Sequence, residues 1–298
     1  MSAQQQTGGS TRSQEPAGEA LLAVDDLRVS FPGKGRRIPA TDVLRGVSLT
    51  VRPGETLGLV GESGSGKSTI GRAVLGLVPV TSGTVTFGGE RIDHLGRARR
   101  RALGRDLQVI FQDPYTSLNP ARTIGDALAE PLIAQGTDAR ASRERITALL
   151  RRVQLPADAA ARLPREFSGG QRQRIAIARA LALSPRLIIC DEPVSALDLT
   201  TQRTVLDLLL EIQETTGVAY LFISHDLSVV RSMSHRVAVI HRGEIVETGD
   251  AATVTTRPGH AYTRTLLLAS PVANVAGQRQ RREAARRAAL ARTPTRER

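Results

Sequence analysis

One junction constrains this chain more than any other. Residues 55–60 read as a short buried strand, and they run straight into GESGSGKST, residues 61–69. Gly61, Gly66, Lys67 and Ser68 satisfy G-x-x-x-x-G-K-[ST], a pattern whose glycines let successive backbone N–H groups turn inward and cradle phosphate oxygens. A helix beginning near Lys67 points its positive end at the same charge. Lys67 reaches the β- and γ-phosphates, and the Ser68 hydroxyl is placed to ligate Mg²⁺. The nucleotide contacts expected here are Gly61, Glu62, Ser63, Gly64, Ser65, Gly66, Lys67, Ser68 and Thr69. A loop of this kind works only between a strand and a helix, so at least one such unit is required.

The remaining sequence extends that unit. Strand patterns occur at 21–31, 43–51, 83–87 and 107–111, and Arg52-Pro53-Gly54-Glu55 reads as a type II turn. From 113 to about 164 the pattern turns helical, in TIGDALAEPLIAQ and SRERITALLRRV. Strand and helix then alternate: helix 171–183, strand 187–190, helix 201–215, strand 218–223 and strand 236–240. Such alternation indicates a parallel sheet covered by helices. The expected units are a disordered tail at 1–20, a domain at 21–268 with a helical portion at 113–165, and a basic tail at 269–298.

Charge and composition narrow the classes. The formal charge is +12, but half of it sits in 277–298, where eight Arg meet two Glu. A second cluster, Arg97, Arg99, Arg100, Arg101 and Arg105, precedes a strand. Eight aromatics and no Trp leave few stacking platforms for single-stranded nucleic acid, so no nucleic-acid partner is expected. The basic tail reads as a solvated segment, with contact to anionic lipid the sharper alternative. No apolar run approaches the roughly 18 residues that span a bilayer. The N-terminus lacks the apolar core of a signal peptide. One cysteine, Cys190, rules out an internal disulfide and any multi-cysteine metal site.

Two further segments carry chemistry. In RLIICDEP, four apolar residues deliver Asp191 and Glu192 to a strand end, where Asp191 can hold Mg²⁺ and Glu192 can polarise an attacking water. In FSGGQRQR, residues 167–174, Ser168, Gly169, Gly170 and Gln171 open a helix and form a second anion-binding terminus. One chain with two phosphate sites needs an explanation.

These segments, in this order, resemble the nucleotide-binding subunits of ABC transporters. The resemblance spans about residues 21–268. It implies an α/β fold: a P-loop NTPase core of ABC-ATPase type, with an antiparallel β subdomain and an inserted helical subdomain. It also implies ATP and Mg²⁺ as ligands. FSGGQ matches the signature motif, which in that family covers the γ-phosphate of ATP held by the opposing subunit. Gln112 in VIFQDP matches the Q-loop glutamine, which contacts Mg²⁺ or the attacking water. Ser195-Ala196-Leu197-Asp198 matches the D-loop at the dimer seam, and His225 in FISHD the histidine that bonds the γ-phosphate. Phe31 stands where the family places an adenine-stacking aromatic, usually Tyr; a plain strand residue is the other reading. His94, His235, His241 and His260 form no ligand-spaced cluster.

FQDPYTSLNP, DEPVSALD, FISHDLSVV and GHAYTRTLL look like the oligopeptide/dipeptide branch of importers, which includes nickel systems. Many of its members carry a four-cysteine iron–sulfur motif near the C-terminus, which this chain cannot. The resemblance therefore implies an ATP-hydrolysing subunit that powers import of a small solute, di- or oligopeptide first. Its partners would be a second ABC ATPase subunit, membrane-embedded permease subunits and, indirectly, an extracytoplasmic solute-binding protein. It would sit peripherally at the cytoplasmic face of the cell membrane. An exporter ATPase is the main rival. A non-transport ABC ATPase acting on ribosomes or DNA fits less well, because the chain has one ATPase unit and no long coiled coil between Lys67 and Asp191.

Overall fold

The structure is a computed structural model describing residues 20–33, 40–113 and 118–269. The expected tails, apart from residues 20 and 269, lie outside the described residues, as do positions 114–117 of FQDPYTSLNP.

Two sheets share the work. An antiparallel sheet in the order β2-β1-β4-β5 is built from β1 (Leu22–Phe31), β2 (Thr41–Val51), β4 (Ser82–Phe87) and β5 (Glu90–Arg91). The second sheet has the order β10-β9-β3-β8-β7-β6. Its members are β3 (Thr56–Val60), β6 (Leu107–Ile110), β7 (Leu187–Asp191), β8 (Ala219–Ser224), β9 (Arg236–His241) and β10 (Glu244–Asp250). All its pairings are parallel except β10 with β9.

Side-chain alternation explains why β7 and β8 look apolar throughout. Leu187 and Ile189, with Ala219, Leu221 and Ile223, face a core shared with the antiparallel sheet and α1 (Lys67–Val74). Ile188 and Cys190, with Tyr220 and Phe222, face the opposite core, shared with the helices. A parallel strand covered on both sides has no polar face to show. The α/β core and the antiparallel sheet expected from the sequence are both present.

Helix α2 (Arg97–Leu103) lies on the side of the antiparallel sheet, where Leu103 packs against that core; the helical face begins with α3 (Ile124–Ala134) and α4 (Ala139–Arg152). Short 3-10 turns at Ala157–Ala161 and Pro164–Glu166 then lead to α5 (Gly169–Leu181), followed by α6 (Leu199–Thr216) and α7 (Leu227–Met233). Thr123 starts α3 through a reciprocal capping box with Asp126, and Asp138 caps α4. Helix starts are where these side chains satisfy otherwise orphaned amides. The helix expected at 171–183 begins two residues earlier because Ser168 caps it, and ends at Leu181. Helix α2 has no counterpart in the sequence pattern. It buries no residue, so it leaves no apolar periodicity to read, and it carries four of the five clustered arginines. One of them is structural: Arg100 donates to the carbonyls of Val74 and Ile92. The chain closes with α8 (Ala251–Thr256) and α9 (Ala261–Ala269). Among the described residues no helix is long and apolar enough to cross a membrane.

Gly58, in the middle of β3, lies against Val230 and Ser234 of the α7 segment so closely that a Cβ would overlap both. Gly58→Ala should therefore destabilise the chain by about 1–3 kcal/mol, seen as a lower urea midpoint without a change in slope.

Candidate functional site: a nucleotide site at the strand ends

Strand β3 ends at Val60, and the next six residues fold back to start α1. Gly64 (φ 77°) and Gly66 (φ 109°) take left-handed backbone, which side-chain-bearing residues rarely adopt. Gly61 packs against the Ile240 carbonyl with no room for a Cβ. The Ser65 carbonyl accepts from the Gly243 amide at 3.0 Å, fixing the loop to the β9–β10 turn. Glu62, Ser63 and Gly64 are exposed, while Ser65, Gly66 and Lys67 are buried. Ser68 and Thr69 follow in the first turn of α1.

Inside the loop, the Lys67 ammonium donates to the carbonyls of Gly61 (2.8 Å) and Glu62 (2.9 Å). Burial lowers its pKa from the usual lysine range, against the charges of Glu192, Asp191 and Glu62. The Ser68 hydroxyl donates to Asp191 Oδ1 at 2.8 Å. Burial pushes the Asp191 carboxyl above its usual range; the Ser68 bond opposes this and the Glu192 charge adds to it. The Ser65 hydroxyl is buried without a protein partner. A hydroxyl paired with a carboxylate at a loop that expects phosphates is a hard-oxygen donor set, which suits Mg²⁺ better than softer metals.

The neighbouring strand ends converge on Glu192. Its Oε2 lies 3.1 Å from His225 Nδ1 and accepts from Gln112 Nε2 at 3.2 Å. Three residues far apart in sequence thus meet, each just beyond the end of β6, β7 or β8. Glu192 holds φ 48°, an uncommon value for a side-chain-bearing residue, while its amide donates to the Ile223 carbonyl. Cys190, one residue before the Asp191–Glu192 pair, is fully buried with its thiol pushed far up by burial.

Two predicted elements share no hydrogen bond or ion pair with this cluster among the described residues. Ser168 and Gln171 bond each other reciprocally. With Gly170 they line a cavity of about 140 Å³ against Thr200, Thr201 and Thr204 of α6. Asp198 caps α6, accepting from the amides of Thr200 and Thr201. No hydrogen bond or ion pair among the described residues joins 168–171 to 61–69. Phe31 is 37% exposed at the end of β1, paired in register with Thr41, two residues from the Val43 carbonyl that abuts Gly66. Among the described residues no three His, Cys, Asp or Glu side chains converge as a metal cluster.

The structure adds residues that the sequence motifs do not mark. The Glu62 amide donates to the Tyr262 hydroxyl at 3.1 Å, and the Tyr262 ring stacks on His241 with centroids 3.8 Å apart. Tyr262 lies within GHAYTRTLL, which resembles an importer branch only in wording.

A family profile described as ABC transporter matches residues 44–195, spanning the P-loop, Gln112, the signature segment and Asp191–Glu192. The chain belongs to the ABC transporter family. Its relatives include the glutathione import ATP-binding protein GsiA of Escherichia coli K12, 52% identical over 273 residues. The protein of the same name in Salmonella paratyphi A is 50% identical over 270. Each match covers 89% of this chain and 43% of the relative, so the cassette spans less than half of their length. Among solved structures, CbiO1 of Clostridium perfringens, part of the ABC transporter complex CbiONQ, superposes with a TM-score of 0.72 at 25% identity. That match covers 80% of this chain and 92% of CbiO1. The ATP-binding cassette MJ0796, a dimer bound to ADP and Pi, gives 0.69 at 29% identity, covering 77% and 98%. The ABC-type cassette fold expected from the sequence is thereby established.

The raised Asp191 value carries a sign. A carboxyl whose folded pKa exceeds its unfolded one favours folding most when protonated. That contribution is lost as pH rises through the folded value. Asp191→Asn should therefore raise the thermal midpoint of the nucleotide-free chain at pH 7 by roughly 1–3 °C. The gain should shrink toward pH 4, as differential scanning fluorimetry across pH would show.

Proposed function

We propose that this chain is the ATP-hydrolysing subunit of an importer for a small peptide-class solute. The observation that carries the reading is the Gln112–Glu192–His225 cluster beside the Ser68–Asp191 pair and the Lys67 loop. ATP phosphates would lie on the amides of residues 61–69, with the Lys67 ammonium and the α1 terminus facing their charge. Ser68 and Asp191, with Gln112 reachable, would hold Mg²⁺. The ion, when bound, neutralises charge on the β- and γ-phosphates. Phe31 would stack on the adenine.

Glu192 accepts a hydrogen bond from the attacking water and takes up its proton as oxygen bonds to the γ-phosphorus and the bond to ADP breaks. In the resting chain His225 and Gln112 both sit at its Oε2, which leaves Oε1 to accept from the water. Released from Glu192, the His225 ring N–H would be available to donate to the γ-phosphate. The Ser168 hydroxyl accepts the Gln171 amide and keeps its own proton for a phosphate oxygen. Because no hydrogen bond or ion pair among the described residues joins Ser168–Gln171 to this chain's own loop, they would serve the nucleotide of an opposing subunit. The dimeric MJ0796 structure with ADP and Pi supports such an arrangement. Loss of the γ-phosphate removes the group that both subunits touch, and the pair opens.

The helical portion at 113–165 would receive the permease, placing the chain peripherally at the cytoplasmic face of the membrane. A solute-binding protein would act indirectly, from the far side. Glutathione import by relatives 52% identical to this chain supports a peptide-like cargo. Glu192→Gln should preserve ATP affinity and lower turnover at least about a hundredfold; unchanged turnover refutes the assignment. Cells lacking the chain should lose uptake of radiolabelled glutathione or short peptides, and unaffected uptake of both refutes the cargo class.

A further inference from the structure

The C-terminal helix reaches the nucleotide loop through one hydroxyl. Gly61 C=O and Glu62 N–H belong to a single planar peptide unit, whose two groups point in opposite directions. The carbonyl side accepts from Lys67 Nζ at 2.8 Å, and the amide side donates to Tyr262 Oη at 3.1 Å. Tyr262 thus grips the far side of the peptide that tethers the lysine. An ammonium has three donors. Two are spent on the Gly61 and Glu62 carbonyls, so the direction of the third is set by the orientation of this backbone.

Tyr262 is itself held from three sides. Its ring stacks on His241, next to Ile240, whose carbonyl abuts Gly61. The Glu247 carboxylate accepts from the amides of Gly259 (2.7 Å) and His260 (3.1 Å), fixing the segment that enters α9. His260 Nδ1 accepts from the Tyr262 amide at 3.2 Å. Tyr262 lies 200 residues from Glu62 in sequence, yet its helix is pinned to β9, which borders β3, and to β10 beyond it.

We propose that Tyr262 is a positioning residue for Lys67, orienting the Gly61–Glu62 peptide so that the lysine's remaining donor is aimed at the phosphates; this rests on the ATP-site reading above. Without the hydroxyl, water takes the Glu62 amide and the peptide is freer to rotate its carbonyl away from Lys67.

The test is a double-mutant cycle in the full-length chain, with Mg-ATP dissociation constants measured by isothermal titration up to millimolar nucleotide. Tyr262→Phe keeps the ring on His241 and removes only the hydroxyl. It should weaken ATP binding about two- to tenfold, the range of one hydrogen bond. Its thermal midpoint should stay within a degree of wild type, and the ATPase change should fall on KM rather than kcat. In a Lys67→Met background the same substitution should cost less than twofold, because the group it orients is gone. An unchanged constant in Tyr262→Phe overturns the proposal, as does an equal loss in both backgrounds. Lys67→Met binding ATP as well as wild type overturns the site reading itself, a distinguishable failure.

Discussion

The site exists because four parallel strands stop at the same edge. In the order β3-β8-β7-β6, the register pairs Val60 with Ser224, Ile223 with Asp191, and Cys190 with Ile110. The segments leaving those four strand ends must therefore emerge side by side, and they bring the phosphate loop, His225, Glu192 and Gln112 together. Ligands of open parallel sheets gather at the carboxyl ends of strands for this reason. The two cores that bury these strands on both faces hold the register, so apolar residues far from the nucleotide set distances within the site.

The resting arrangement holds its charges at some cost. Lys67 is displaced downward and Asp191 upward by the same burial, each away from the charged form it needs for phosphate and cation. Glu192 keeps a left-handed backbone without being glycine. Such departures persist only where surrounding structure over-determines them, and they gather at working sites. On the proposed reading, ATP phosphates would add countercharge at Lys67 and a cation would add it at Asp191.

Much of this is legible because the chemistry is written in short contiguous runs. GESGSGKS, CDEP and FISHD each combine the end of a strand with the residues it delivers, so reading the strand also reads the site. The signature helix is legible in its existence and not in its bounds: the pattern puts it at 171–183, whereas the Ser168–Gln171 capping box starts it at Gly169. Long-range pairings are not legible. Nothing local marks Tyr262 as a partner of Glu62, or Gly243 as a partner of the Ser65 carbonyl, because those bonds depend on β9 pairing with β3 and β10 with β9. Helix α2 escapes notice for the opposite reason: with no buried face it has helical propensity and no pattern. The convergence of Gln112, Glu192 and His225 is implied in the sequence only through family resemblance, and the structure gives it a geometry.

Cys190 lies sealed beneath the edge that carries Asp191 and Glu192, fully buried and held as a neutral thiol. The chain has no other cysteine. A maleimide dye or spin probe would thus find no native target in the folded protein. Reporter cysteines could be introduced singly at open positions such as Leu77 or Leu199 without first stripping the background, leaving the proposed approach of two cassettes open to spectroscopic ruler measurements in otherwise unaltered protein.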